Sequence, residues 1–197
     1  MLRTTDKLVK RIFDIVLSVI GIGLTWWIVL LAWLVATIET QSNGLFIQKR
    51  VGKYGKLFNV YKIKTMKNNN GTSITVNGDN RITKSGVFFR KTKIDELPQL
   101  FNVLFGTMSF VGPRPDVAGY ADKLKGEDRI ILEISPGITG PASLKYKDEE
   151  SILAAQDDPK LYNDTVIWPD KVRLNKEYIA TWSLKKDIMY IMKTIFG

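Results

Sequence analysis

The chain contains no histidine and no cysteine. Their absence excludes Ser-His and Cys-His catalytic pairs, Cys/His zinc sites and any disulfide framework. An acid, base or nucleophile must therefore be Asp, Glu, Lys, Tyr, Ser or Thr. Proline is missing from residues 1 to 97, and no charged side chain occurs from Ile15 to Ile38. As a helix rising ~1.5 Å per residue, that charge-free run would be roughly 36 Å long, enough to cross a ~30 Å hydrocarbon core. It exceeds the ~7–15 residues of a secretory signal core, and no small-x-small cleavage site follows, so it reads as a retained membrane element. Acidic residues are in deficit, with 20 Asp+Glu against 29 Lys+Arg and a net charge of +9. Nucleic acid, anionic lipid and phosphorylated substrates would each satisfy such a surface.

Arg3, Lys7, Lys10 and Arg11 precede the apolar run, and Lys49, Arg50, Lys53, Lys56, Lys62, Lys64 and Lys67 follow it. Positive residues favour the cytoplasmic side, so a single span would put one cluster on the wrong face; a re-entrant helix would keep both cytoplasmic. Re-entry needs a break, and without proline the weak stretch is Gly21 to Trp26, where Ser18 or Thr25 would bond freed carbonyls. Both geometries stay open on the residues alone. Residues 1–40 are taken as the membrane segment and 41–197 as one domain, giving an α+β fold.

Within that domain, Leu45–Ile47 and Leu57–Ile63 read as strands joined through a turn at Gly52–Gly55. Residues 67–86, with Asn68-Asn69-Asn70-Gly71 and Asn77-Gly78-Asp79-Asn80, read as a long polar loop. Apolar spacing predicts a helix from Leu97 to Phe105 and an amphipathic helical region from Lys171 to Phe196.

Chemistry concentrates between residues 90 and 115. Asp95 and Glu96 lie beside Arg90, Lys91 and Lys93, and Gly112-Pro113-Arg114-Pro115 follows a short apolar run. A carboxylate can serve as nucleophile, base or ligand to a hard cation, and arginine binds phosphate oxygens bidentately. Two flanking prolines fix the backbone at Arg114, which suits preorganised anion binding. Simpler readings stand beside these. Thr92-Lys93-Ile94-Asp95 fits a helix-capping pattern, and Lys62 and Lys64 fit the exposed face of a strand.

These motifs, with Lys49-Arg50-Val51-Gly52, Tyr61-Lys62-Ile63-Lys64-Thr65-Met66 and Pro136-Gly137-Ile138-Thr139-Gly140, resemble the bacterial sugar transferases called small monotopic phosphoglycosyl transferases. The likeness runs over roughly residues 10 to 196. It implies a re-entrant membrane helix followed by a small mixed catalytic domain with amphipathic interfacial helices, at the cytoplasmic face of the bacterial inner membrane. It further implies transfer of a sugar 1-phosphate from a UDP-sugar to undecaprenyl phosphate, releasing UMP. By the same resemblance Asp95 is the nucleophile, Glu96 its partner, Mg2+ the cofactor at Asp95 and Glu96, and Arg90 and Arg114 phosphate contacts. Lys62, Lys64 and Lys147 are added as phosphate-binding candidates, and where some relatives carry arginine this chain offers Lys145 and Lys147. No nucleic-acid partner is expected, and homo-oligomerisation and the donor sugar are left open. The competing reading is a non-catalytic membrane-anchored basic module that binds anionic lipid or nucleic acid.

Overall fold

The computed structural model describes residues 2–67 and 80–197. Helix α1 (Thr4–Thr40) is followed by an antiparallel hairpin of β1 (Leu45–Val51) and β2 (Leu57–Ile63). Then come α2 (Lys84–Thr92), α3 (Gln99–Leu104), β3 (Ser109–Val111) and β4 (Gly137–Thr139), the last two paired in parallel. Helices α4 (Pro141–Lys145), α5 (Glu149–Ala154), α6 (Pro159–Tyr162), α7 (Trp168–Ala180) and α8 (Leu184–Phe196) complete the chain. The mixed helix-and-sheet class matches the expectation. Strand β1 continues beyond the apolar residues to Val51, because cross-strand pairing with β2 carries it through Lys49 and Arg50.

Helix α1 is amphipathic in the inverse sense of a soluble helix. Its buried residues are polar or small, namely Lys10, Asp14, Ser18, Ala32, Ala36 and Thr40. Leu8, Ile12, Val16, Val19, Leu24, Trp27, Leu31 and Ile38 point outward and exposed. A face of that size and character suits lipid tails, not water. The expected break between Gly21 and Trp26 does not form: that stretch is helical. Ser18 and Thr25 do donate to carbonyls, those of Ile15 and Gly21, but within an intact helix.

One domain meets α1 along its length. Near its start, Lys10 Nζ lies 2.6 Å from Asp187 Oδ2, and Arg11 donates to the Val103 and Leu104 carbonyls at the end of α3. In the middle, a side chain at Gly21 would press on Leu100. Toward its end, Ala32 and Ala36 pack with Ile63 and Phe89, while Glu39 accepts from Ser85. The main core lies beyond, where Val51, Val111, Ile131, Leu132, Val172, Tyr178 and Ile179 cluster.

Several local expectations shift. The region 171–196 divides into α7 and α8, with Ser183 accepting from the Lys186 amide as a new N-cap. The helix expected from Leu97 starts at Gln99. Of the polar loop, residues 68–79 lie outside the described residues. Its flanks pair, Lys67 N donating to Arg81 O at 2.9 Å and Thr83 N to Thr65 O at 3.0 Å, and Lys84–Gly86 already belong to α2.

Candidate active site

The dyad sits in a tight turn between two helices. Lys93 closes α2 in the left-handed conformation (φ 59°, ψ 17°), which costs a non-glycine residue roughly 1–2 kcal/mol. That reversal sends Ile94–Glu96 into a single 3₁₀ turn ahead of Pro98 and α3. The Thr92 capping pattern is therefore not realised. Thr92 ends α2 and its hydroxyl donates back to the Phe88 carbonyl at 2.8 Å. Neutralising charge at the dyad comes instead from side-chain cations.

Asn102 sets the register between the dyad and the hairpin. Its amide oxygen accepts from Tyr61 N (3.1 Å), and its nitrogen donates to Asn59 O (2.7 Å), so α3 completes the polar edge of β2. Lys62 thereby reaches Glu96, with Nζ 2.9 Å from Oε1. Arg114 Nη2 approaches the same oxygen at 3.6 Å, although its side chain is 53% exposed. Arg90 is steered by a hydrogen bond from Nε to Thr65 Oγ1 at 2.9 Å.

The turn carrying Arg114 is held by glycine contacts. A Cβ on Gly137 would lie 2.1 Å from Gly112 N, and one on Gly140 would lie 2.4 Å from Gly112 O. Only glycines let these backbones close. Gly112 N then donates to Thr139 O and Gly137 N to Pro113 O, at 2.9 and 2.8 Å. The Pro136–Gly140 motif is thus the seat of the arginine turn.

Burial, and after it the Glu96 charge, push the Asp95 carboxyl above its ordinary value against Lys62, Lys93 and Arg90. Glu96 is also penalised by burial, but Lys62 and Arg114 overcome this and bring it down to about 2. The pair is therefore divided. Glu96 is a fixed anion committed to cations, whereas Asp95 Oδ1 is buried without a hydrogen-bond partner. Four such side-chain atoms occur among the described residues, and this one alone belongs to the cationic cluster. An oxygen with unmet capacity suits attack on phosphorus or coordination of a hard cation. Among the described residues no group of three or more acidic side chains stands ready for a metal. A Mg2+ ion at Asp95 and Glu96 would complete its shell with water and phosphate oxygens, its common habit.

Asp95, Glu96, Lys62, Arg90 and Arg114 are thus brought together. Lys64 faces elsewhere, its Nζ 2.7 Å from Ser42 Oγ, and Lys147 is exposed with no ion pair among the described residues. Asn102, Arg50 and Asp116 were not singled out from sequence as site residues. Val51 N donates to the Asp116 carbonyl at 2.8 Å, fixing that residue beside the hairpin. Burial pushes the Asp116 carboxyl up to about 6, despite Lys171, Arg50 and Arg114.

A family model described as bacterial sugar transferase matches residues 5–197. The chain belongs to this family. It is 34% identical over 193 residues to a UDP-N-acetylgalactosamine-undecaprenyl-phosphate N-acetylgalactosaminephosphotransferase of Aeromonas hydrophila, covering 95% of this chain and 43% of that one. A UDP-glucose:undecaprenyl-phosphate glucose-1-phosphate transferase of Caulobacter vibrioides is 32% identical, with 98% and 70% covered. An undecaprenyl-phosphate galactose phosphotransferase of Salmonella typhimurium is 30% identical, with 98% and 40% covered. The chain therefore spans less than half the length of two of these relatives. The sugars in these names differ, while undecaprenyl phosphate is common to all three.

Proposed function

We propose that this chain transfers a sugar 1-phosphate from a UDP-sugar to undecaprenyl phosphate, giving undecaprenyl-diphosphate-sugar and UMP. The observation that carries this reading is the buried Asp95 with a free carboxylate oxygen, set among Lys62, Arg90 and Arg114. In the first step an Asp95 oxygen bonds to the sugar-bearing phosphorus. The bond from that phosphorus to the bridging oxygen breaks, and UMP leaves with the electron pair. In the second step a phosphate oxygen of undecaprenyl phosphate attacks the same phosphorus and releases Asp95. A soluble donor and a lipid acceptor can thus use one site in turn.

A diphosphate repels an incoming carboxylate, so the cations decide whether attack is feasible. Lys62, Lys93 and Arg90 act on Asp95, while Lys62 and Arg114 meet Glu96. Mg2+ held by Asp95 and Glu96 would add Lewis-acid neutralisation of the phosphate oxygens. Glu96 keeps Lys62 and Arg114 in place through its charge.

The site belongs at the cytoplasmic face of the inner membrane, with both ends of α1 on that side. Supporting this, α1 touches the same domain near Lys10, Gly21 and Glu39, so its two basic flanks need not be separated by a bilayer. Single cysteines at positions 3 and 53 should both resist an impermeant label in intact cells; labelling of position 3 alone would show a span. Function is tested by UMP release from a panel of UDP-sugars with undecaprenyl phosphate and Mg2+. Release with one or more donors is expected. Failure with all, alongside binding to anionic vesicles or nucleic acid, would return the chain to a non-catalytic basic module.

A further inference from the structure

Arg50 stands on the hairpin face that looks onto the dyad. In the β1–β2 register Gln48 pairs with Val60 and Phe46 with Lys62, so Gln48, Arg50, Val60 and Lys62 share one face. That face forms one wall of a pocket in which Arg50, Lys62, Gln99 and Arg114 converge, with Val60 and Ile138 as apolar lining. Nothing in the reaction steps above has yet used Arg50.

Its guanidinium is oriented without being neutralised. Gln48 Oε1 accepts from Nε at 3.1 Å and from Nη2 at 2.7 Å, which fixes the fork through a neutral partner. The acid acting on it, Asp116, is shared with Arg114 and Lys171. Burial and the adjacent Arg114 charge both disfavour the Arg50 cation. Two arginines held side by side with so little compensation are arranged for an anion carrying more than one charge.

The cations also divide between the two acids and the pocket. Lys62 and Arg90 act on Asp95, Lys62 and Arg114 meet Glu96, and Arg50 adjoins Arg114 in the pocket that both line. In a nucleoside diphosphate sugar, the phosphorus under attack lies at Asp95 and the nucleotide phosphate lies one bridging oxygen further along. We infer that Arg50 is a substrate-binding residue for the nucleotide-side phosphate, the one that departs as nucleoside monophosphate. This rests on the transferase reading above. When the bridging bond breaks, that phosphate gains the electron pair and one more negative charge, and a fixed guanidinium there meets the charge as it develops.

The test uses the full chain in lipid nanodiscs. Arg50→Ala should raise the UDP-sugar KM and weaken UMP product inhibition by about tenfold or more, leaving the undecaprenyl phosphate KM within about twofold. UMP inhibition as tight as wild type, or equal losses toward both substrates, would overturn the inference. Equilibrium dialysis of radiolabelled UMP supplies a readout without turnover. Wild type that turns over, and Arg50→Ala that binds UMP equally well, removes only the role of Arg50. Wild type that neither turns over nor binds UMP removes the transferase reading and this inference with it. Should alanine lower the thermal midpoint, Arg50→Lys keeps the charge but loses the fork; UMP binding weakened at least about threefold supports the role, and wild-type binding refutes it.

Discussion

Asp187 and Asp95 are both buried carboxylates, at 0% and 8% exposure, and both face lysines, yet they are built to opposite ends. Asp187 is saturated. Tyr178 OH donates to Oδ1 at 2.6 Å, and Lys10 Nζ and Trp182 Nε1 donate to Oδ2 at 2.6 and 3.1 Å. Nearby, Asp14 accepts from Ser109 Oγ and Phe110 N, and Tyr178 OH reaches the Val111 carbonyl, so the whole network grips β3. Asp95 instead keeps an oxygen without a donor, and its burial is not offset. Burial with both oxygens engaged fixes a structure, whereas burial with an oxygen left over stores reactivity.

The largest effect is expected at Asp95. Asp95→Asn should cut UMP release by about 10³-fold or more while the thermal midpoint stays level or rises, since burial disfavours the ionised form being removed. A large loss of stability in that variant would place Asp95 in the structural class with Asp187. The converse exchange, Asp187→Asn, leaves Lys10 buried without its anion and should cost about 3–5 kcal/mol in denaturant unfolding. An unchanged midpoint would show that the network is dispensable.

Finer contrasts lie among the cations. Arg114→Ala should lower kcat/KM by about 10–100-fold, against no more than about threefold for Lys147→Ala, because the Gly112 turn sets the Arg114 backbone and its guanidinium approaches Glu96, whereas Lys147 is exposed away from the dyad. Equal losses would deny Arg114 a special place. The smallest effect concerns Asp116, whose folded value of about 6 exceeds the 3.8 of a free carboxyl. Between those values the folded state binds more protons than the unfolded state, so this group lowers stability as pH rises from about 4 to about 6. Asp116→Asn should therefore gain midpoint relative to wild type across that window; parallel curves would show that the carboxyl is not perturbed.

What could be read from the chain was local. Asp95, Glu96, Arg90 and Arg114 are few, close in sequence and chemically distinctive. The hairpin was legible from its apolar runs, but the extent of β1 was not, because hydrogen bonding to β2 overrides the charges at Lys49 and Arg50. Thr92 misled because the left-handed Lys93 reverses the chain before a cap can form. The apolar spacing over 171–196 does not show the division at Ser183, and the absent proline already argued against a break in α1. Lys10, Asp14 and Asp187 gave no sequence signal, because their partners lie 177 and 95 residues away. Asn102 was hidden inside an apolar helix, where its role depends on an edge of β2 that only the fold supplies.

The Lys10–Asp187 pair also has a consequence in time. It joins two points 177 residues apart, so this contact cannot form before Asp187 has been made. Helix α1 is made first, but it must keep Lys10 without this partner until α8 arrives. Closing so long a loop costs roughly 4–5 kcal/mol in chain entropy, which the intervening packing must already have reduced. The strand that carries the arginine turn is gripped by this same network, so that turn should be set only once α8 has docked.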